Sequence, residues 1–366
     1  MTTSRPRPWL RWVLLTGLLA TVLGPSCVPG FDPISQINTL RIQAVTIDKP
    51  YGLPGEEITM RMTVSDGLGD ADGNPRALQL LWLGGCYNPE GDQFFLCFEQ
   101  LANKLAPLAQ GGELPEDVKF DVALASSDGV PDAHEFSFTL PEDIVSSRPP
   151  PSEPPYYGIA YVFFAACAGT LAPASLDNPG GGAVGDFPLA CLDADGNEQG
   201  PDSFIIGYTQ VYAFDDGRLN ANPPLIDVVP TDQEIPADGM VELEACPVDN
   251  ETRRTGGGCN EDLTQDCKRY VFVPSFEEGQ LVAETEPDVT GLEGERLTEV
   301  VWVSYFVDGG TVSPSLALVN DAVKGRQTDI GTEWLPPDEP GVYSIWAVVR
   351  DQRGGSTIVR RFVRVR

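Results

Sequence analysis

Proline and glycine interrupt this chain so often that no long helix can form in it. They number 33 and 38 among 366 residues, and each disfavours a helix interior, proline by its missing N–H and glycine by its conformational entropy. Between these breaks lie short phrases rich in β-branched and aromatic residues that alternate in polarity, the pattern of half-buried strands. Helical spacing persists only near Phe95 to Leu105, where Pro107 would end it. The pattern predicts an all-β protein.

Strands are expected at 39–47, 56–65, 77–84, 117–124, 134–140, 157–166 and 203–213, then at 224–229, 239–246, 298–307, 328–334, 341–350 and 355–365. The two series share landmarks in the same order, which marks an internal repeat. Arg41–Val45 followed by Leu53–Met60 matches Leu225–Val229 followed by Ile235–Leu243. Thr139-Leu140-Pro141 and Gly158–Phe164 match Trp334-Leu335-Pro336 and Gly341–Ala347. Trp82 precedes Gly84-Gly85 as Trp302 precedes Gly309-Gly310.

A chain of this length is expected to hold two domains, here 39–215 and 221–366. Regular short strands with a tryptophan on the third read as two tandem Greek-key β-sandwiches. The first carries a proline cluster, Pro149 to Pro155, and a long loop, Ala168 to Pro201, with Gly180-Gly181-Gly182. The second carries an acidic insertion, Pro247 to Lys268.

The stretch Glu339-Pro340-Gly341-Val342-Tyr343 through Asp351-Gln352-Arg353-Gly354-Gly355 resembles the end of PKD-like and other immunoglobulin-like modules of bacterial surface proteins. No cysteine on the second strand faces one on the sixth, so the inter-sheet disulfide of true immunoglobulin domains is not expected.

At the N-terminus, Arg5, Arg7 and Arg11 precede an apolar run, Trp12 to Leu23, followed by Gly24, Pro25 and Ser26. The run is shorter than the roughly 20 residues of a membrane span and reads as a signal peptide, 1–26. Leu23 to Cys27 resembles the lipobox of bacterial lipoproteins. The resemblance implies cleavage before Cys27, a diacylglyceryl thioether on its sulfur, and a lipid-anchored tether over 27–38. It departs from the usual motif in placing Gly24 three residues before the cysteine. Val28 after the cysteine, instead of aspartate, resembles lipoproteins sent to the outer membrane. Two acyl chains suffice for stable attachment, so membrane partnership needs no apolar protein surface.

The full chain has 24 basic and 54 acidic side chains, a net charge of −30. Losing residues 1–26 removes three arginines and no acid, giving 21 − 54 = −33. Such a surface repels nucleic acid and anionic headgroups. Hydrophobic residues at 42% are ample for a core, so the acidity does not imply disorder.

Eight cysteines without metal spacing fit an exported protein. Cys86 with Cys97 and Cys167 with Cys191 bracket single loops and are expected to bridge them. Cys246, Cys259 and Cys267 would supply a third bridge and one orphan, with the partners left open.

Asp70-Ala71-Asp72-Gly73-Asn74 and Asp193-Ala194-Asp195-Gly196-Asn197 repeat one phrase. Alternating oxygens of Asp70, Asp72, Asn74, Asp193, Asp195 and Asn197 could serve calcium. Pro75 and Glu198 stand where an EF-hand loop needs glycine, and tight Asp-Gly hairpin turns are the preferred reading.

No catalytic motif is present: no nucleophile elbow, phosphate loop or His-Glu-x-x-His pair. The single histidine, His134, sits beside Glu135 at the start of a strand. Trp82, Trp302 and Trp346 read as core, and Tyr156-Tyr157 are the aromatics expected at the surface. The expectation is a lipid-anchored cell-envelope protein, on the outer membrane, with a non-catalytic structural, adhesive or binding role toward a protein or carbohydrate. The alternative is a secreted hydrolase or carbohydrate-binding accessory protein.

Overall fold

The computed structural model describes residues 33–366 apart from 71, 106–112, 114, 127–133, 150–153, 174–188, 237–238, 250–251, 253–263, 278–283 and 293. The signal peptide, Cys27, Cys259 and Gly180–Gly182 lie outside the described residues.

Seven alternating segments build the first sandwich. They are β1 (Leu40–Ile47), β2 (Glu57–Asp66), β3 (Ala77–Tyr87), β4 (Lys119–Ser126), β5 (His134–Thr139), β6 (Tyr157–Cys167) and, after the hairpin β7 (Thr170–Pro173) and β8 (Leu189–Leu192), β9 (Phe204–Phe214). One sheet runs β1-β2-β5 and the other β4-β3-β6-β9. The chain switches sheets after β2, β4 and β5, as a Greek key requires. Ile58, Met60 and Met62 of β2 and Phe136 and Phe138 of β5 face Leu80, Trp82, Val162 and Phe164 of the second sheet. Trp82 stacks on Phe136 at 5.5 Å and meets Phe164 edge-on at 5.7 Å.

The central strands β3 and β6 of the four-stranded sheet are buried on their outer face as well. Leu81, Leu83, Tyr161 and Phe163 pack under α1 (Leu96–Leu105), which Cys97 ties to Cys86 of β3. Lys104 of this helix donates to the Gly85 carbonyl at 2.7 Å and pairs with Asp117 at 2.6 Å. Gly85 sits at a bulge of β3 with φ +115°, and a Cβ there would lie 2.8 Å from the Asp117 carbonyl oxygen. Burial on both faces explains why β6 is an unbroken apolar run.

The second sandwich follows at β10 (Leu225–Pro230), β11 (Val241–Leu243), β12 (Tyr270–Phe276), the hairpin β13 (Thr285–Thr290) and β14 (Arg296–Thr298), β15 (Val301–Val307), β16 (Thr311–Ser313), β17 (Leu316–Asp321), β18 (Gly325–Arg326), β19 (Thr332–Leu335), β20 (Gly341–Asp351) and β21 (Ser356–Val365). Its sheets run β10-β12-β19-β16 and β11-β21-β20-β15-β17-β18. Trp334 meets Phe272 edge-on at 6.0 Å and donates from Nε1 to the Gly309 carbonyl at 3.0 Å.

Two expectations need correction here. The segment 239–246 does not form the second strand of its sheet. It contributes only three residues, parallel to β21, and the place between β10 and β19 is taken by β12. The repeat therefore fails at that landmark, because the insertion precedes the second strand instead of following it. Trp302 is also not the counterpart of Trp82. Along β15, Val301, Val303, Tyr305 and Val307 point inward and Trp302 points outward, half-buried. Tyr305 and Trp334 fill the core instead. Trp346 is buried, but on the outer face of its sheet, with the Arg360 guanidinium over its ring at 4.8 Å.

The described part of the expected tether is docked. Ile37 N–H donates to Val307 O at 2.8 Å, Val307 N–H to Ser35 O at 2.9 Å, and Gln36 Nε2 to Gly310 O at 2.7 Å. The chain thus touches the second domain before it enters the first. A second contact joins the domains at the β20–β21 turn. Asn222 donates to Ile47 O at 2.7 Å and accepts from Ser356 N–H at 2.9 Å, and Ser356 Oγ donates to Val45 O at 3.2 Å.

Candidate functional site

The concave site with the most organised chemistry lies at one end of the first sandwich, where two loops close over the start of β6. Asn88, at φ +47°, clamps them: its Nδ2 donates to Ile144 O at 2.7 Å and its Oδ1 accepts from Ile159 N–H at 2.9 Å. This brings Asp92, at the end of a 3-10 turn, against Arg148. The Arg148 guanidinium meets both Asp92 oxygens, at 2.7 and 2.9 Å. Tyr157 Oη donates to Asp92 Oδ2 at 2.6 Å, and Arg148 lies over the Tyr157 ring at 4.0 Å.

Beside this cluster is a cavity of about 420 Å³, lined by Val145, Ser146, Arg148, Pro149, Tyr156, Tyr157 and Asp215. Aromatic rings continue from it along the sheet face, with Tyr157 against Tyr212 at 5.6 Å and Phe94 stacked on Tyr208 at 4.3 Å.

The electrostatics are those of a locked cluster. Burial opposes the charge on Arg148, but the Asp92 carboxylate outweighs it and the guanidinium pKa is raised. Burial, reinforced by the bond to Asp92, raises the Tyr157 phenol. Tyr161, which donates to the Asp92 carbonyl at 2.7 Å, is pushed up to about 12, chiefly by burial. An arginine–carboxylate pair with a phenol donor is a rigid wall, not a proton shuttle.

Tyr156 and Tyr157, expected at the surface, both line this cavity and are half-buried. Asp92, Arg148 and Asp215 were not foreseen. Arg148 directly before the proline cluster was the one local signal, whereas Asp92 reaches the site only through the fold.

The two Asp-x-Asp-Gly-Asn loops are tight turns, each closed by an isolated antiparallel bridge, Gly69 to Pro75 and Leu192 to Glu198. In each, the leading carboxylate turns back on its own backbone. Asp70 Oδ1 accepts from Asp72 N–H at 2.9 Å and Asn74 N–H at 2.8 Å, and Asp193 Oδ1 does the same with Asp195 and Asn197 at 2.9 and 2.8 Å. Gly73 and Gly196 take the left-handed position at φ +79° and +84°. Among the described residues no group of three or more His, Cys, Asp or Glu side chains is arranged to hold a metal ion.

Disulfides join Cys86 to Cys97, Cys167 to Cys191 and Cys246 to Cys267. The third draws the end of β11 to the start of β12. His134 lies at the start of β5 with Nε2 2.8 Å from Asp121 of β4.

No protein-family model and no curated protein matches this sequence. Among solved structures, native Escherichia coli alpha-2-macroglobulin is similar at 11% identity and a TM-score of 0.22, over 90% of this chain and 17% of that one. Dimeric latent PorU from Porphyromonas gingivalis is similar at 10% identity and a TM-score of 0.19, over 90% and 24%. The three N-terminal domains of the bacteriophage RB49 outer capsid protein Hoc give 10% and 0.17, over 89% and 59%. This chain thus spans less than two thirds of each neighbour, and at these scores no ligand, partner or activity passes from them to it.

Proposed function

We propose that this chain is an exported, lipid-anchored protein of the cell envelope, held at the outer membrane through Cys27, that binds a partner without catalysis. The observation that carries the binding role is the Asp92–Arg148–Tyr157 wall. Its charges are spent on one another, while its cavity offers the tyrosine rings with Ser146 and Asp215 at the rim. Aromatic faces beside a few fixed polar groups suit stacking on a sugar ring, so a saccharide is the partner class this reading favours. The three disulfides among the described residues support an oxidising compartment.

Two measurements test the two halves of the reading. Mass spectrometry of membranes from cells expressing the full chain is expected to find an N-terminal peptide that starts at Cys27 and carries diacylglycerol. An unmodified peptide would overturn the anchor. Calorimetry with a panel of neutral oligosaccharides is expected to find saturable binding that Tyr156→Ala weakens about tenfold, the loss of one good stacking contact. No binding across the panel, or binding indifferent to Tyr156→Ala, would overturn the site.

A further inference from the structure

A second cavity, of about 340 Å³, opens where the flank of the first sandwich meets the second domain. It is walled by the edges of β1 and β9 and by Arg350 of β20. Ile42, Val45, Phe164 and Ile205 supply an apolar lining. Gln43, Tyr208, Thr209 and Arg350 are its polar residues. Gln43 sits at the bulge of β1, where the register slips between Ile42 and Ala44. Its side chain is 2% exposed, its Oε1 accepts from Ser65 Oγ at 3.1 Å, and its Nε2 has no hydrogen-bond partner. Arg350 makes one hydrogen bond, to the Gln43 backbone carbonyl at 2.5 Å, and no ion pair among the described residues.

Arg353, three residues further on, shows how the same interface treats a cation it holds structurally. It is enclosed by Glu284, Glu299 and Asn220. Arg350 has no such cage, in a chain with 54 acidic side chains to draw on. A part-buried guanidinium without a carboxylate partner beside an apolar cleft forms half of an ion pair and a tail pocket.

We propose that this interdomain cleft binds a short alkyl carboxylate, with its headgroup on Arg350 and its chain along Ile42, Val45 and Ile205. A planar carboxylate matches the guanidinium fork side-on. One guanidinium neutralises a monoanion, whereas a phosphate dianion would add uncompensated charge to a strongly acidic protein. The volume sits at the small end of ligand pockets, which limits the tail. Because the walls come from both domains, occupancy also ties them together.

The test is calorimetric titration of the full chain with octanoate, alongside octanol and octylamine as neutral and cationic counterparts. Octanoate is expected to bind at one site, with octanol at least about tenfold weaker, the value of one charge-assisted contact. Arg350→Met is expected to remove that advantage. Since Arg350 also joins the domains, Ile205→Trp provides an independent arm: it fills the cleft, leaves the guanidinium in place, and is expected to abolish octanoate binding. No octanoate heat, equal binding of octanol, or undiminished binding in Ile205→Trp would each overturn the proposal.

Discussion

The two sandwiches solve one packing problem with different accessories. In the first, a short connection leads directly from β1 to β2, and the additions cluster on the outer face of the β4-β3-β6-β9 sheet. There α1 and two disulfide-bridged loops add a third layer. In the second, the additions sit between the first and second strands of the smaller sheet, where β11 joins the other sheet in parallel and Cys246–Cys267 closes the detour. The larger cavity, about 420 Å³ at Tyr156 and Tyr157, lies in the first domain, and a smaller one of about 180 Å³ lies at the detour, between Glu242, Leu243, Lys268 and Tyr270.

The largest test of this comparison concerns which aromatic anchors each core. Trp82→Ala and Trp334→Ala are expected to cost about 3–5 kcal/mol each, the range for a fully buried large aromatic. Trp302→Ala, on the outer face of β15, is expected to cost under about 2 kcal/mol. Urea unfolding monitored by far-UV circular dichroism checks the three together. A Trp302 effect equal to that of Trp82 would restore the equivalence that the repeat suggested.

That equivalence shows where the sequence was legible and where it was not. The seven strands of the first sandwich can be read nearly to their ends, because each has one strongly apolar face and a glycine or proline beyond it. The helix near Phe95 to Leu105 was visible from its spacing and is α1. β12 escaped notice because it reads Tyr270-Val271-Phe272-Val273-Pro274-Ser275-Phe276, and proline argues against a central strand. The register shows why it is tolerated: pairing to β19 covers only Tyr270 to Phe272, so Pro274 lies where β12 has become an edge. The aromatic half of the candidate site was legible at Tyr156 and Tyr157. The charged half was not, since Asp92 and Arg148 lie 56 residues apart and meet only through the clamp at Asn88.

The bridges give the next test. In the chain-entropy account, removing the Cys86–Cys97 or the Cys167–Cys191 link costs about 3 kcal/mol, and removing Cys246–Cys267 costs about the same. The location of the damage should differ. Loss of Cys86–Cys97 is expected to raise amide exchange in α1 and to loosen the outer layer of the first domain. Loss of Cys246–Cys267 is expected to free the β11 to β12 detour and leave the first domain protected. Hydrogen exchange with mass readout on serine pairs distinguishes the two, and equal deprotection of both domains would show that the sandwiches unfold as one unit.

The smallest effect contrasts one turn in two settings. Asp70 in the first domain and Asp351 in the second each accept backbone N–H bonds from residues two and four positions ahead, at 2.9 and 2.8 Å for Asp70 and 2.7 and 2.8 Å for Asp351. Asp70 is exposed, so the amide of Asn74, with the other loop amides, draws its pKa below the ordinary value of about 3.9. Asp351 is 3% exposed at the domain contact, and burial outweighs the same amides and the Asn220 side chain, so its pKa is raised. The signs of the stability linkage are therefore opposite. The contribution of Asp70 is complete above the ordinary aspartate pKa and is lost as pH falls through its lowered folded value. The protonated form of Asp351 favours the folded state below the ordinary pKa, and that advantage is lost as pH rises through its raised folded value. Carbon-detected NMR titration of the two carboxyls should find Asp351 protonating at the higher pH and Asp70 at the lower. Titration at one common pH would mean that water reaches the domain contact, and that the two turns are equivalent in setting as well as in geometry.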